Sequence, residues 1–117
     1  WYGVDFLNMT DADTARLVNY GTITGGAGAF RGNEAGETII NRGIMNGDVL
    51  LGGGNDDFDG TRGTVNGLIL GGTGDDTYRI SQAGLVIVEL LDEGIDTVSL
   101  NPDSVLETWL FLADKLK

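Results

Sequence analysis

The sequence predicts an all-β protein, a parallel β-roll or β-solenoid with coils of about 20 residues and capping segments at both ends. Three observations predict this fold. Glycine makes up 20 of the 117 residues, well above the usual share of about 7%. Segments of the chain repeat at intervals of 20 to 22 residues, and apolar residues come in bursts of two or three between turns. Because glycine at this density opposes a helix by about 1 kcal/mol per position, the bursts are predicted to be short strands.

The repeat is clearest where residues 41–60 are followed by residues 61–80. Aligned without a gap, the two segments share eight of 20 positions, including Arg42/Arg62 and the ladder-like pair Asn46/Asn66. A looser copy at 19–25 precedes 41–47 by 22 residues, and 94–98 continues the pattern. Since one coil cannot bury its own apolar face, the coils must stack on a shared core. We expect strands at the apolar bursts 44–45, 49–50, 64–65, 68–70, 77–78 and 86–88.

The two ends differ from the repetitive middle, so the chain is predicted to form one domain with three parts. Residues 1–18 form an N-terminal cap, 19–100 the coils and 101–117 a C-terminal cap, because the end coils of a solenoid need covering. The alternation of Trp1, Tyr2, Val4 and Phe6 predicts a strand over the first coil. The spacing of 104–117 suits an amphipathic helix, whereas 105–111 is also typical of a closing strand, and both interpretations remain open.

A glycine and aspartate motif indicates the function. Residues 71–79 fit G-G-x-G-x-D-x-U-x at every specified position, where U is a large apolar or aromatic residue, and 51–59 fit except at Leu51. Asp56, Asp76 and Asp96 recur every 20 residues, which predicts one column along an edge of the solenoid. Stacked carboxylates repel each other unless a cation lies between them.

Calcium fits such a column, since it takes six to eight carboxylate and carbonyl oxygens. Glycine lets the loop backbone adopt positive φ and turn its carbonyls toward the ion. The residue two places after each aspartate is expected to point inward, which couples ion binding to folding. Glu37, which stands where an aspartate would, predicts a weak or absent site in its coil. The candidate metal ligands are Gly52, Gly53, Gly54, Asn55, Asp56, Gly72, Thr73, Gly74, Asp75, Asp76 and Asp96.

On these residues the chain resembles the repeats-in-toxin (RTX) family, the hemolysin-type calcium-binding repeats of secreted bacterial proteins. The resemblance runs from about residue 19 to about residue 112 and is most specific at 71–79. It implies a calcium-bound parallel β-roll, exported by a type I secretion system and folding outside the cell. It also implies that this chain is a fragment of a larger protein, whose neighbouring repeats or domains are its partners besides calcium ions.

Composition excludes several function classes. Without Cys or His there is no disulfide, no thiolate or imidazole metal site and no Ser-His-Asp triad. The net charge of −11 argues against nucleic acid and anionic membrane surfaces as partners. No apolar stretch approaches the roughly 18 residues needed for membrane insertion. The prediction is a non-catalytic, extracellular calcium-binding module. The alternative is a polysaccharide-active β-helix enzyme using paired aspartates, or an accessory module of an epimerase, lipase or protease.

Overall fold

The computed structural model describes residues 1–6, 15–89, 94–100 and 110–111. Within these ranges the chain forms fourteen short strands and no helix, so no helical segment described there could cross a membrane. The strands are β1 (Tyr2–Asp5), β2 (Ala15–Asn19), β3 (Thr22–Thr24), β4 (Gly28–Arg31), β5 (Glu37–Asn41), β6 (Ile44–Asn46), β7 (Val49–Leu50), β8 (Asp57–Gly60), β9 (Thr64–Asn66), β10 (Leu68–Leu70), β11 (Thr77–Ile80), β12 (Val86–Val88), β13 (Thr97–Leu100) and β14 (Leu110–Phe111).

The strands stack into a parallel β-solenoid of about four turns, as the sequence predicts. Sheet A has the order β1-β4-β7-β10-β12-β14, sheet B the order β13-β11-β8-β5-β2, and sheet C the order β3-β6-β9. Every strand pair is parallel. All six predicted apolar bursts lie in strands, which confirms the assignment made from their spacing.

The coil period varies from turn to turn. In sheet B, Leu17 pairs with Ile39, Ile39 with Phe58, and Phe58 with Tyr78, which gives steps of 22, 19 and 20 residues. The gap-free alignment of 41–60 with 61–80 therefore holds in sheet C, where Met45 pairs with Val65. It does not hold between β5 and β8, since the turn after β8 contains one additional residue.

The core runs along the axis of the solenoid, where each sheet contributes one inward-facing row. Alternate residues of a strand point to opposite faces, so each short strand supplies one or two core side chains. These rows are Ile39, Phe58 and Tyr78 from sheet B, Phe30, Val49, Ile69 and Ile87 from sheet A, and Met45 and Val65 from sheet C, all at most 3% exposed. Phe58 and Tyr78 lie inside, as expected for residues two places after a column aspartate, and Val98 is partly buried against the same core.

The fourth coil is shorter than the others because the chain passes from β11 to β12 without a strand in sheet C. The side chain of Gln82 takes the place of that strand. Its Oε1 accepts a hydrogen bond from the Val65 backbone N–H at 2.8 Å, and its Nε2 donates to the Val65 carbonyl at 2.9 Å. One amide side chain thus pairs with the edge of β9 as a neighbouring backbone would, and the step in sheet A from Ile69 to Ile87 falls to 18 residues.

The predicted capping segments contribute strands to the same sheets. β1 pairs with β4 at the end of sheet A, and β2, which begins within the predicted N-terminal cap, pairs with β5 in sheet B. Trp1 is 75% exposed. In the predicted C-terminal cap, Leu110–Phe111 pairs with β12 as a strand. The predicted helix over 104–117 otherwise falls outside the described residues.

Candidate metal centre

A column of four acidic residues runs through the interior at the start of sheet B. Asp56, Asp76 and Asp96 each immediately precede a strand of this sheet, and Glu37 is the first residue of β5. The parallel register of these strands places the four residues at the same level of successive coils. All four are at most 2% exposed. The predicted column therefore exists, but it lies within the solenoid and includes Glu37.

Each column aspartate uses one oxygen to bind the coil before it. Oδ1 of Asp56 accepts the Glu37 backbone N–H at 2.7 Å, Oδ1 of Asp76 accepts that of Asp56 at 2.8 Å, and Oδ1 of Asp96 accepts that of Asp76 at 2.9 Å. The aspartates thus join coils as well as offering oxygens to an ion. The second oxygen of Asp56 and of Asp76 is buried without a hydrogen-bond partner among the described residues.

Burial raises the pKa of every acid in the column. Removal from water raises the pKa of Asp56 to about 9 and that of Asp76 to about 7, although backbone hydrogen bonds oppose the shift. The pKa values of Glu37 and Asp96 are raised for the same reason. No arginine of the described ranges forms a salt bridge with the column, since the recorded bridges join Arg31 and Arg79 to other acids. Without a cation, these carboxyls favour their protonated form.

Three of the buried acids converge in the last two coils. Asp76 and Asp96 from sheet B and Glu89, which follows β12 of sheet A, each place a carboxylate oxygen within 4.8 Å of the other two. Among the described residues this is the one such group of acids. All three side chains are at most 1% exposed. Glu89 therefore completes from the opposite sheet a site that the column alone would leave one-sided.

Tyr78 and Gly71 shape the chamber around Glu89. The Tyr78 hydroxyl donates a short hydrogen bond to Glu89 Oε1. Burial raises the pKa of Tyr78, so its hydroxyl stays protonated and remains a donor. A Cβ on Gly71 would overlap both Glu89 Oε1 and the Tyr78 hydroxyl. In the preceding coil, Leu51 stands where Gly71 does and Phe58 where Tyr78 does, so apolar side chains fill that level.

The glycines of the predicted loops have a role in stacking. Gly52, Gly54, Gly72 and Gly74 all have positive φ, from 81° to 109°. A Cβ on Gly72 would overlap the Gly52 carbonyl oxygen, and one on Gly74 would overlap that of Gly54. The Gly52 carbonyl accepts the Thr73 N–H at 3.1 Å. These loops therefore approach each other as closely as backbones can, with glycine carbonyls directed along the stack.

The remaining predicted ligands lie on the outer side of the loops. Asn55 Oδ1 accepts the Asp75 N–H at 2.8 Å, and Asp75 Oδ1 accepts the Ile95 N–H at 2.8 Å. Asn55, Thr73 and Asp75 are exposed, whereas Gly53 is buried. The motif thus contains two ladders one residue apart, an exposed one through Asn55 and Asp75 and the buried acidic column. The structure brings Asp76 and Asp96 together and leaves the exposed ladder apart from them.

Sequence reasoning missed Glu89, Gly71 and the hydroxyl of Tyr78 as parts of this site. A signal for Glu89 exists in the alternation of Leu85, Ile87 and Glu89, whose side chains all point inward. The shortened fourth coil removes Glu89 from the 20-residue repeat, so comparison of the copies does not reveal it.

Comparisons with known proteins leave the family open. No family model and no solved structure matches the chain. Short segments match phosphoenolpyruvate synthases: 24 residues at 79% identity in Deinococcus radiodurans, 27 at 67% in Neisseria meningitidis and 28 at 61% in Escherichia coli. These segments cover 20% to 24% of this chain, which spans only 3% to 4% of the length of the synthases. The likeness is confined to those segments.

Proposed function

We propose that this chain is a non-catalytic calcium-binding module whose fold is stabilised by a cation held among Asp76, Glu89 and Asp96. The observation that carries the proposal is the convergence of three carboxylates within 4.8 Å in the interior, without a paired arginine among the described residues. Burying carboxylates is unfavourable unless they are paired, protonated or bound to a metal. The RTX resemblance, secretion and an extracellular location belong to the same proposal.

The donor set favours a hard cation. Carboxylates and carbonyls suit calcium, magnesium and manganese, whereas the chain has no Cys or His to attract softer metals. Calcium tolerates an irregular set of oxygens, while magnesium requires near-ideal octahedral geometry and retains its waters. Three carboxylates from two sheets with fixed backbones form an irregular set, so calcium is the expected ion. One group of three acids in the described ranges supports one interior ion.

Binding would couple to folding because the ligands come from two sheets and two coils. Glu89 follows β12 in sheet A, while Asp76 and Asp96 precede β11 and β13 in sheet B. An unfolded chain does not bring these residues together, so the ion stabilises the folded state alone. At calcium ten times the dissociation constant, one site contributes about 1.4 kcal/mol to the free energy of unfolding. Typical extracellular calcium modules have dissociation constants of about 0.1 to 1 mM.

A calcium titration of chelator-treated protein tests the proposal. Isothermal titration calorimetry counts the ions while far-UV circular dichroism follows β structure, and magnesium serves as the competing ion. We expect about one ion per chain, selectivity for calcium, and loss of binding in Asp76→Asn. Asp75→Asn is the matched control, because Asp75 belongs to the exposed ladder and its variant keeps an acceptor for Ile95.

Two results would contradict the proposal. Absence of calcium binding by folded wild-type protein would leave the carboxyls as a proton-sharing cluster and return attention to the polysaccharide enzyme. Equal loss of binding in Asp75→Asn and Asp76→Asn would transfer the ion to the exposed loops.

A further inference from the structure

A polar pocket lies on the outer surface, at the corner where sheet B passes into sheet C. Its lining consists of Ile40, Asn41, Arg42, Asp59, Thr61 and Arg62. The two arginines come from equivalent turns of consecutive coils, after β5 and after β8. We propose that this pocket binds an oxyanionic group of a ligand, such as a sulfate, phosphate or carboxylate, between the two guanidinium groups.

The charges around the pocket support an anion as the ligand. In the described part of the chain, Arg31 pairs with Asp5 and Arg79 with Asp57, but neither Arg42 nor Arg62 forms a salt bridge. The one acid in the lining, Asp59, accepts hydrogen bonds from the backbone N–H and hydroxyl of Thr61 and lies 3.9 Å from Arg79. Two guanidinium groups are thus left in the same pocket without a carboxylate of their own. Arginine recognises oxyanions through paired, charge-assisted hydrogen bonds.

The turns that carry the arginines are fixed by side-chain hydrogen bonds. Asn41 is fully buried, its Oδ1 accepts the Gly43 N–H at 3.2 Å and its Nδ2 donates to the Thr64 carbonyl at 3.0 Å. Thr61 is held by Asp59 in the next coil. A site built on fixed turns loses little entropy when a ligand binds.

Arg42 is also oriented before any ligand arrives. Its guanidinium lies 5.6 Å from the centre of the Tyr20 ring, and its Nη1 donates to the Tyr20 hydroxyl at 3.4 Å. The other guanidinium N–H groups remain available to a ligand, since a guanidinium has five donors. Because the net charge is −11, long-range attraction does not favour anions. Binding must rest on these short-range hydrogen bonds, and we expect a dissociation constant of about 1 mM.

The test is a nuclear magnetic resonance titration of the whole chain with sodium sulfate and, separately, sodium acetate at constant ionic strength. We expect saturable shifts confined to residues 41–43 and 59–63 and to the Nε–H signals of Arg42 and Arg62. The sulfate and acetate arms distinguish a tetrahedral ligand from a carboxylate. Arg42→Gln and Arg62→Gln should each weaken binding about tenfold, the effect of losing a charged hydrogen bond. Arg16→Gln is the matched control, because Arg16 is an exposed arginine outside the pocket.

Saturation by either anion with this pattern of variants supports the inference. It is overturned if the shifts do not saturate, if Arg16 responds as strongly as Arg62, or if both pocket variants bind like wild type. None of these readouts depends on calcium, so the outcome is separate from that of the proposed metal site.

Discussion

Substitution of Gly71 by alanine tests the packing that makes room for Glu89. The added methyl group would overlap Glu89 Oε1 and the Tyr78 hydroxyl, both of which are held inside the fourth coil. Gly71 is not among the glycines with positive φ, so alanine adds overlap without backbone strain. Overpacking of a well-packed interior destabilises a protein by about 1 to 3 kcal/mol.

We expect Gly71→Ala to lower the free energy of unfolding by about 1 to 3 kcal/mol in chelator. In calcium at ten times the wild-type dissociation constant, the loss should grow by about 1.4 kcal/mol if Glu89 is displaced and the ion no longer binds. Urea unfolding in the two conditions measures both quantities. Gly21→Ala is the control, because nothing lies within 4 Å of a Cβ at Gly21. Alanine there should be neutral or stabilise by about 0.4 to 1 kcal/mol, through the unfolded chain.

The reasoning is refuted if Gly71→Ala unfolds at the same urea concentration as wild type and binds calcium with the same affinity. An equal loss of stability with and without calcium would separate Gly71 from the metal site and leave it a packing residue only.

Three further predictions follow from the same contacts. Tyr78→Phe removes the hydroxyl that donates to Glu89 and should weaken calcium binding about tenfold by calorimetry; unchanged affinity would contradict its positioning role. Gln82→Ala uncovers the edge of β9 and should lower the free energy of unfolding by about 1 to 2 kcal/mol with calcium affinity unchanged. Equal stability would show that water replaces the amide. The raised pKa values of Asp76, about 7, and Asp56, about 9, stabilise the calcium-free fold below about pH 4. That contribution should fall as pH rises from 4 to 9, and urea midpoints that increase over this range would contradict the assignment.

Repetition in the sequence makes most of the fold predictable. Each apolar burst sits between glycine turns, and its counterpart about 20 residues later pairs with it in register, as Met45 does with Val65. The recurrence of Asp56, Asp76 and Asp96 likewise predicts their column. These features follow from local chemistry that is repeated in every coil.

Features that break the repeat could not be predicted in this way. The additional residue after β8 shifts sheet B by one residue relative to a strict 20-residue period. Gln82 pairs with β9 through a side chain, which a search for strands cannot detect. Glu89 lies beyond that shortcut, so its meeting with Asp76 and Asp96 is a property of the three-dimensional stack. The inward direction of the column also depends on where each strand begins.

Terbium luminescence tests the central claim, an ion inside the fourth coil, most directly. Terbium replaces calcium at oxygen sites and emits when an excited aromatic ring lies close to it, and the Tyr78 hydroxyl contacts Glu89 of the proposed site. The account predicts tyrosine-sensitised emission that calcium displaces, and that both Tyr78→Phe and Glu89→Gln abolish while Asp75→Asn retains it. Emission that persists in both Tyr78→Phe and Glu89→Gln would place the ion elsewhere and contradict the interior site.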